Sequence, residues 1–205
     1  MSDKLKTVLL FGQPGVGKGT QGKILGSVPG FVHLATGDMF RGLDRESALG
    51  QEFLKYSTQG LLVPDELTCL FWQQYVQGLI DTNQYKPDSD LLLLDGIPRS
   101  IEQIKILEEH IEVLRVIHLI CDDQDALVER MQKRADQQGR PDDADEGVIR
   151  RRFKVYHDET RPVLEHFDQS RVSEIHAIGL PGHILQKILN EIMPDAKDAI
   201  RNPFG

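Results

Sequence analysis

The feature that most restricts this chain is one short run, Gly12-Gln13-Pro14-Gly15-Val16-Gly17-Lys18-Gly19-Thr20, directly after an apolar segment at residues 6–11. It matches G-x-x-x-x-G-K, with Gly19 where a Ser or Thr commonly stands and the hydroxyl one place later, at Thr20. Glycines at this spacing let the backbone curl until several N–H groups face one point. A helix that begins there adds its positive N-terminal end, and Lys18 adds a flexible point charge. The run therefore reads as a cradle for the phosphates of a nucleoside triphosphate. Gly15, Val16, Gly17, Lys18, Gly19 and Thr20 are its expected contacts, and Lys18 is expected at the β- and γ-phosphates.

The rest of the chain supplies the scaffold such a loop needs. Short apolar runs at 6–11, 31–35, 91–94, 114–121 and 171–178 are bounded by turn residues and read as strands buried on both faces. Helical periodicity marks 65–83, 100–111, 123–135, 145–169 and 182–193. Alternation of the two kinds predicts an α/β fold of three layers, with a five-stranded parallel sheet between helices. The polar stretch 194–205 carries two prolines and is expected to be a loosely held tail. No apolar run approaches the ~20 residues that span a bilayer. The start lacks the small-residue cleavage pattern of a signal peptide, so a cytoplasmic location is expected.

Charge and cysteine content exclude some roles. A net charge of −8 argues against nucleic acid or an anionic membrane as the main partner. Positive charge is instead concentrated at 130–152. The two cysteines, Cys69 and Cys121, are far apart and read as reduced thiols packed as small hydrophobes.

Further short motifs follow the loop in order. They are Ala35-Thr36-Gly37-Asp38-Met39-Phe40-Arg41, Gly60-Leu61-Leu62-Val63-Pro64-Asp65, Asp95-Gly96-Ile97-Pro98-Arg99 with Gln103, and Gly139-Arg140-Pro141-Asp142-Asp143, followed by Arg150, Arg151 and Arg152. Taken together, from about residue 5 to about residue 190, they resemble adenylate kinases, within the nucleoside monophosphate kinases. The resemblance implies reversible Mg²⁺-dependent phosphoryl transfer, ATP + AMP = 2 ADP, by a cytoplasmic monomer whose partners are ATP, AMP and ADP. It implies a P-loop core at 1–35, 64–133 and 145–205, a small helical AMP-binding lobe at 36–63 and a short lid at 134–144.

Site residues carry over position by position. Thr36 and Gly37 resemble the contact to the acceptor adenine, and Arg41 and Arg99 the clamp on the AMP phosphate. Val63 lies in the segment that resembles the one closing over the AMP base, and the resemblance implies Gly96 as a further AMP contact. Gln103 resembles the side chain that reads the adenine edge, which suits an amide because it both donates and accepts. On the ATP side the resemblance implies Arg130, Arg134 and Gly179. Lys18, Arg134, Arg140 and a helical arginine gather on the transferring group, and Arg140 and that arginine also face AMP. Guanidinium groups suit this work because they hold phosphate bidentately.

Arg130 and Arg134 are four apart and share a helix face. The segment after them is similar to the short-lid form of the family. The long-lid form sometimes holds zinc on cysteines, and no Cys lies between 122 and 205, so no zinc site is expected. Arg150, Arg151 and Arg152 compete for the helical role. Ile149, Phe153 and Tyr156 mark an apolar face, and at ~100° per residue Arg152 lies roughly 60° from its first member and Arg151 roughly 160°. That geometry selects Arg152, as does counting back from Pro162. Counting forward from Arg140 points to Arg151, because the segment is one residue longer than usual and contains Gly147. Arg150 reads as solvated surface. Asp142 and Asp143 have two readings, as partners of the lid arginines or as helix N-caps.

Phosphoryl transfer asks for alignment and charge neutralisation, so neither a phospho-enzyme nor a dedicated base is expected. Mg²⁺ is expected to be held mainly by nucleotide phosphates and water, with support from Thr20 and Asp95. Of the histidines, His33 alone precedes a strand end near the AMP motif. Two departures from the family pattern are Gln13, where a small residue is commoner, and Ile97, where an aromatic is usual. A UMP/CMP kinase is the nearest alternative, and Thr36 with Gln103 favours AMP over it. A P-loop kinase of another small molecule would need neither Thr36-Gly37-Asp38 nor the two AMP-type arginines.

Overall fold

Strand β1 (Leu5–Gly12) is apolar on both faces, so it must lie inside a sheet that is covered twice. Val8 and Leu10 enter one core and Leu9 and Phe11 the other, as a two-residue period requires. The computed structural model describes residues 4–197 and 199–201. It completes the sheet with β2 (Phe31–Ala35), β3 (Leu91–Asp95), β4 (Ile111–Ile120) and β5 (Val172–His176). All pairings are parallel, in the order β2-β3-β1-β4-β5. β3 repeats the division of β1: Leu91 and Leu93 join the first core, Leu92 and Leu94 the second.

The helices are α1 (Lys18–Leu25), α2 (Thr36–Arg41), α3 (Ala48–Ser57), α4 (Asp65–Asp81), α5 (Ile101–Leu107), α6 (Gln124–Gln138), α7 (Glu146–Val155) and α8 (Pro181–Ala196). α6, α7 and α8 cover the first face through Leu127, Met131, Ile149, Phe153 and Ile188. α4 and α5 cover the second through Trp72, Val76, Ile104 and Leu107. Cys69 and Cys121 are free and buried on opposite faces, and burial pushes the Cys69 thiol up to about 12. Helices α2 and α3 form the segment between β2 and α4. Phe40 anchors it by stacking on Phe53 at 5.0 Å and touching Phe71 at 5.1 Å. Among the described residues no helix is long and apolar enough to cross a membrane.

Several boundaries differ from the sequence reading. α6 continues to Gln138, so the polar segment expected after Arg134 is helical. Gly139, at φ 60°, stops it in the left-handed region that glycine tolerates best. The helix expected over 145–169 ends at Val155. A π turn at Tyr156–Thr160 and 3₁₀ turns at Arg161–His166 and Gln169–Arg171 follow, because Pro162 has no N–H to carry the helix on. Asp142 and Asp143 do not cap α7. Asp145 does, accepting the Val148 N–H at 2.9 Å. The stretch from 194 is docked rather than loose: Ala196 and Ala199 are buried, Ile200 packs on the first core, and Arg201 N–H donates to Ser89 at 3.1 Å. Residues 202–205 lie outside the described residues.

Candidate active site

The carboxyl ends of β1 and β3 lie side by side, with Leu10 opposite Asp95. In a parallel sheet this is the edge where ligands bind. Gly12 ends β1 at φ 144°, and a Cβ there would lie 2.4 Å from the Leu119 carbonyl oxygen. Only glycine lets the chain leave the sheet at that point. The loop then turns into α1, whose first residue is Lys18. The Lys18 ammonium folds back and donates to the carbonyls of Gly12 (2.7 Å) and Gln13 (3.2 Å). Burial lowers its pKa to about 8; Asp95 opposes that shift, and Arg99, Arg134 and Arg152 add to it.

Two adjoining cavities open on this edge. The larger, about 540 Å³, is lined by Gly15, Val16, Gly17, Lys18, Gly19, Thr20, Arg130, Arg134, Arg140 and Gly179, with Asp95 in its wall. The smaller, about 150 Å³, is lined by Thr36, Gly37, Arg41, Val63, Gly96, Arg99, Gln103 and Arg152. Lys18, Arg41, Arg99 and Arg152 line both, so the partition between the cavities carries four cations. Arg140, expected on both sides, lines only the larger. It reaches α2 through Asp38, whose Oδ1 accepts from Arg140 at 3.0 Å and from Arg41 at 2.7 Å. Burial would raise the Asp38 carboxyl, but Arg41, Lys23 and Arg140 hold it below the usual carboxylate range.

The arginine triplet separates cleanly. Arg152 reaches Asp143 Oδ1 at 2.5 Å and Asp142 Oδ2 at 3.1 Å inside the cleft. Arg151 is exposed and donates to the Gln59 carbonyl at 3.3 Å. Arg150 pairs with Glu146 and Asp125 on the surface. Asp143 is 0 % exposed and also takes Arg134 Nε and Nη2, each at 2.7 Å. Of the two readings of Asp142 and Asp143, the geometry takes the arginine-partner one.

Arg99 differs from these. Its Nε donates to the Gly96 carbonyl at 2.6 Å, and among the described residues no carboxylate lies within ion-pair distance of it. Burial and the neighbouring Arg152 push its pKa down to about 10, with Asp95 opposing and Arg41 adding to the shift. Asp95 is 8 % exposed; burial would raise its carboxyl, but His33, Lys18 and Arg99 together hold it below the usual range. His33 Nε2 is 3.9 Å from Asp95 Oδ2, too far for a hydrogen bond. His33 thus supports the carboxylate from beneath α1, packed under Gly22.

A family model described as adenylate kinase matches residues 10–172. The chain belongs to the adenylate kinase family. The adenylate kinase of Flavobacterium johnsoniae is 35% identical over 192 residues, 90% of this chain and 97% of that protein. That of Rhodococcus erythropolis is 40% identical over 179 residues, 84% of this chain and 91% of that protein. That of Mycobacterium ulcerans is 37% identical over 192 residues, 90% and 98% of the two chains.

Against the adenylate kinase pattern, the two departures have local consequences. Ile97 is buried in the second core. Gln13 Nε2 lies 2.8 Å from His157 Nε2, which ties the phosphate loop to the π turn behind α7. The Tyr156 hydroxyl in that turn shares a hydrogen bond with His118 Nε2 at 2.8 Å. Neither tie was read from the sequence, and no local pattern marks contacts between residues 144 and 38 positions apart. Asp38 was legible only as part of a motif, without its bridging role.

Proposed function

We propose that this protein transfers the terminal phosphoryl group of ATP to AMP, with ATP in the larger cavity and AMP in the smaller. The observation that carries this reading is the shared partition of Lys18, Arg41, Arg99 and Arg152. A phosphoryl group crossing from one cavity to the other passes a wall of positive charge, which is what in-line transfer between two polyanions requires.

The loop residues Gly15 to Thr20 hold the ATP phosphates, with Arg130 and Gly179 flanking the nucleotide. Thr36, Gly37, Val63, Gly96 and Gln103 take the acceptor base, and Arg41 and Arg99 fix the acceptor phosphate. An acceptor oxygen attacks the γ-phosphorus as the bond to the ADP leaving oxygen breaks, so no proton need be taken by the protein. Lys18, Arg134, Arg140 and Arg152 neutralise the charge that spreads over the moving group. The site's donors fit Mg²⁺ carried in with ATP: the Asp95 carboxylate and the Thr20 hydroxyl line the same cavity as the loop. When bound, Mg²⁺ would neutralise charge on the ATP phosphates.

The segments 36–63 and 134–144 act as AMP lobe and short lid on a core of 1–35, 64–133 and 145–205. The Asp38–Arg140 pair supports this, since it joins the two segments across the cleft. Closure shields the transferring group from water. The same family reading carries a cytoplasmic, monomeric protein. The test is diphosphate formation from Mg-ATP with AMP, CMP, UMP or GMP, with a run lacking Mg²⁺. Product with AMP and none without Mg²⁺ is expected. A preference for UMP or CMP would overturn the AMP assignment.

A further inference from the structure

The Gln103 side chain is gripped at both ends. Its Oε1 accepts the backbone N–H of Arg99 at 2.7 Å, and its Nε2 donates to Asp65 Oδ1 at 2.7 Å. The other oxygen of Asp65 accepts Ser100 Oγ at 2.8 Å, and Ser100 Oγ in turn caps α5 by accepting the Gln103 N–H at 3.1 Å. The amide is 1 % exposed and lines the smaller cavity.

A side-chain amide is nearly symmetric in shape, so its partners decide which end is oxygen. Both partners here have a single polarity. A backbone N–H only donates and a carboxylate only accepts. Reversing the amide would set N–H against N–H at Arg99 and oxygen against oxygen at Asp65. In the observed orientation each end keeps one unused function, a hydrogen on Nε2 and a lone pair on Oε1. A base whose ring edge meets Nε2 and whose exocyclic group meets Oε1 must offer a ring acceptor beside an exocyclic donor. A 6-aminopurine does so on its Watson–Crick edge. A 6-oxopurine offers the reverse, an exocyclic acceptor beside a ring N–H.

We infer that Asp65 is a specificity-positioning residue, which holds the Gln103 amide in the orientation that accepts a 6-aminopurine and rejects a 6-oxopurine. The inference rests on the reading of the smaller cavity as the AMP site. An acid in the first turn of α4 also suits that helix end. That role explains the residue type and predicts no effect on base choice, so the two are separable.

The experiment compares AMP and IMP as acceptors, with Mg-ATP, in the wild type and in Asp65→Asn. The substitution keeps the size of the side chain, and its own amide can turn to face either end of Gln103. The ratio of kcat/KM for AMP to that for IMP is expected to fall roughly tenfold, the scale of one charge-assisted hydrogen bond, with KM for ATP unchanged. An unchanged ratio, with both acceptors slowed alike and Tm lowered, would overturn the inference while leaving the AMP reading standing. A wild type that prefers another acceptor to AMP would overturn that reading and this inference with it. A second measurement needs no variant: solvent exchange of the Gln103 side-chain NH₂ protons in the nucleotide-free wild type. One protected proton is expected, and exchange of both at the rate of an exposed amide would contradict the lock.

Discussion

Lys18 and Arg99 face the same partition as Arg152, with Arg134 beside it, yet the two pairs are held differently. Lys18 and Arg99 follow the ends of β1 and β3, Lys18 as the first residue of α1, and hang from backbone carbonyls, of Gly12 and Gln13 in one case and Gly96 in the other. Arg134 and Arg152 come from α6 and α7 and share one buried carboxylate, Asp143. A carbonyl satisfies a donor without cancelling its charge, so burial pushes Lys18 down to about 8 and Arg99 to about 10. A carboxylate cancels the charge but must be released, at least in part, before the guanidinium can serve a phosphate. The strand-end cations are therefore waiting for an anion. On the proposed reading the helix-borne arginines exchange one anion for another, which would link their positions to nucleotide binding.

The contrast is sharpened most by removing one member of each set. Lys18→Met should lower kcat/KM roughly 10³-fold, the scale of a lost charge stabiliser at the transferring group. It should leave the Tm of the nucleotide-free protein unchanged or raised, because an uncompensated charge has gone. Assay and thermal melt together check both. Arg152→Met should lower kcat roughly 10²-fold and also cost stability, about 1–2 kcal/mol, because Asp143 loses one of its two partners. Arg151→Met is the control, expected within ±0.5 kcal/mol of wild type on surface grounds. A Tm loss on removing Lys18 as large as that on removing Arg152 would break the distinction.

Asp143→Asn addresses the other half of the pair. It weakens contacts to Arg134 and Arg152 at a site with 0 % exposure and should destabilise by about 1–3 kcal/mol, read by urea unfolding. The smallest effect is protonic. At pH 8 about half of Lys18 is neutral, and polyphosphate should restore its charge, so ATP binding should take up about half a proton. Calorimetry in buffers of different ionisation enthalpy measures this, and Lys18→Met should abolish it. The linkage sign follows from the direction of the shift. Lys18 titrates at about 8 when folded against 10.5 ordinarily, so its charge costs stability below pH 8, and the cost is relieved between pH 8 and 10.5.

The two sets also differ in how far they could be read from the chain. Residues 12–20 are legible because the loop is local: glycine spacing, the preceding strand and the lysine are all in one window. Helical angle and the count back from Pro162 favour Arg152 over Arg151, while the count forward from Arg140 favours Arg151; the angle is informative because α7 is regular where both stand. The partner of Arg152 was open to two readings. Asp143 lies beyond a left-handed glycine and in a 3₁₀ turn, and only the path of that turn brings it between α6 and α7. Asp65 and Gln103 meet because two helix N-termini converge, which no periodicity encodes. The C-terminal stretch was misread for a related reason. Its polar composition hides Ala196, Ala199 and Ile200, three small docking points too few to form a pattern.

Initial-rate kinetics with ATP and AMP varied together test the central claim most directly, that both nucleotides occupy adjoining cavities and exchange the phosphoryl group across one cationic partition. Intersecting double-reciprocal lines, with no exchange of label between ATP and ADP when AMP is absent, are the expected result. Parallel lines with rapid ATP–ADP exchange in the absence of AMP would mean that the protein itself carries the phosphoryl group, and would contradict direct transfer.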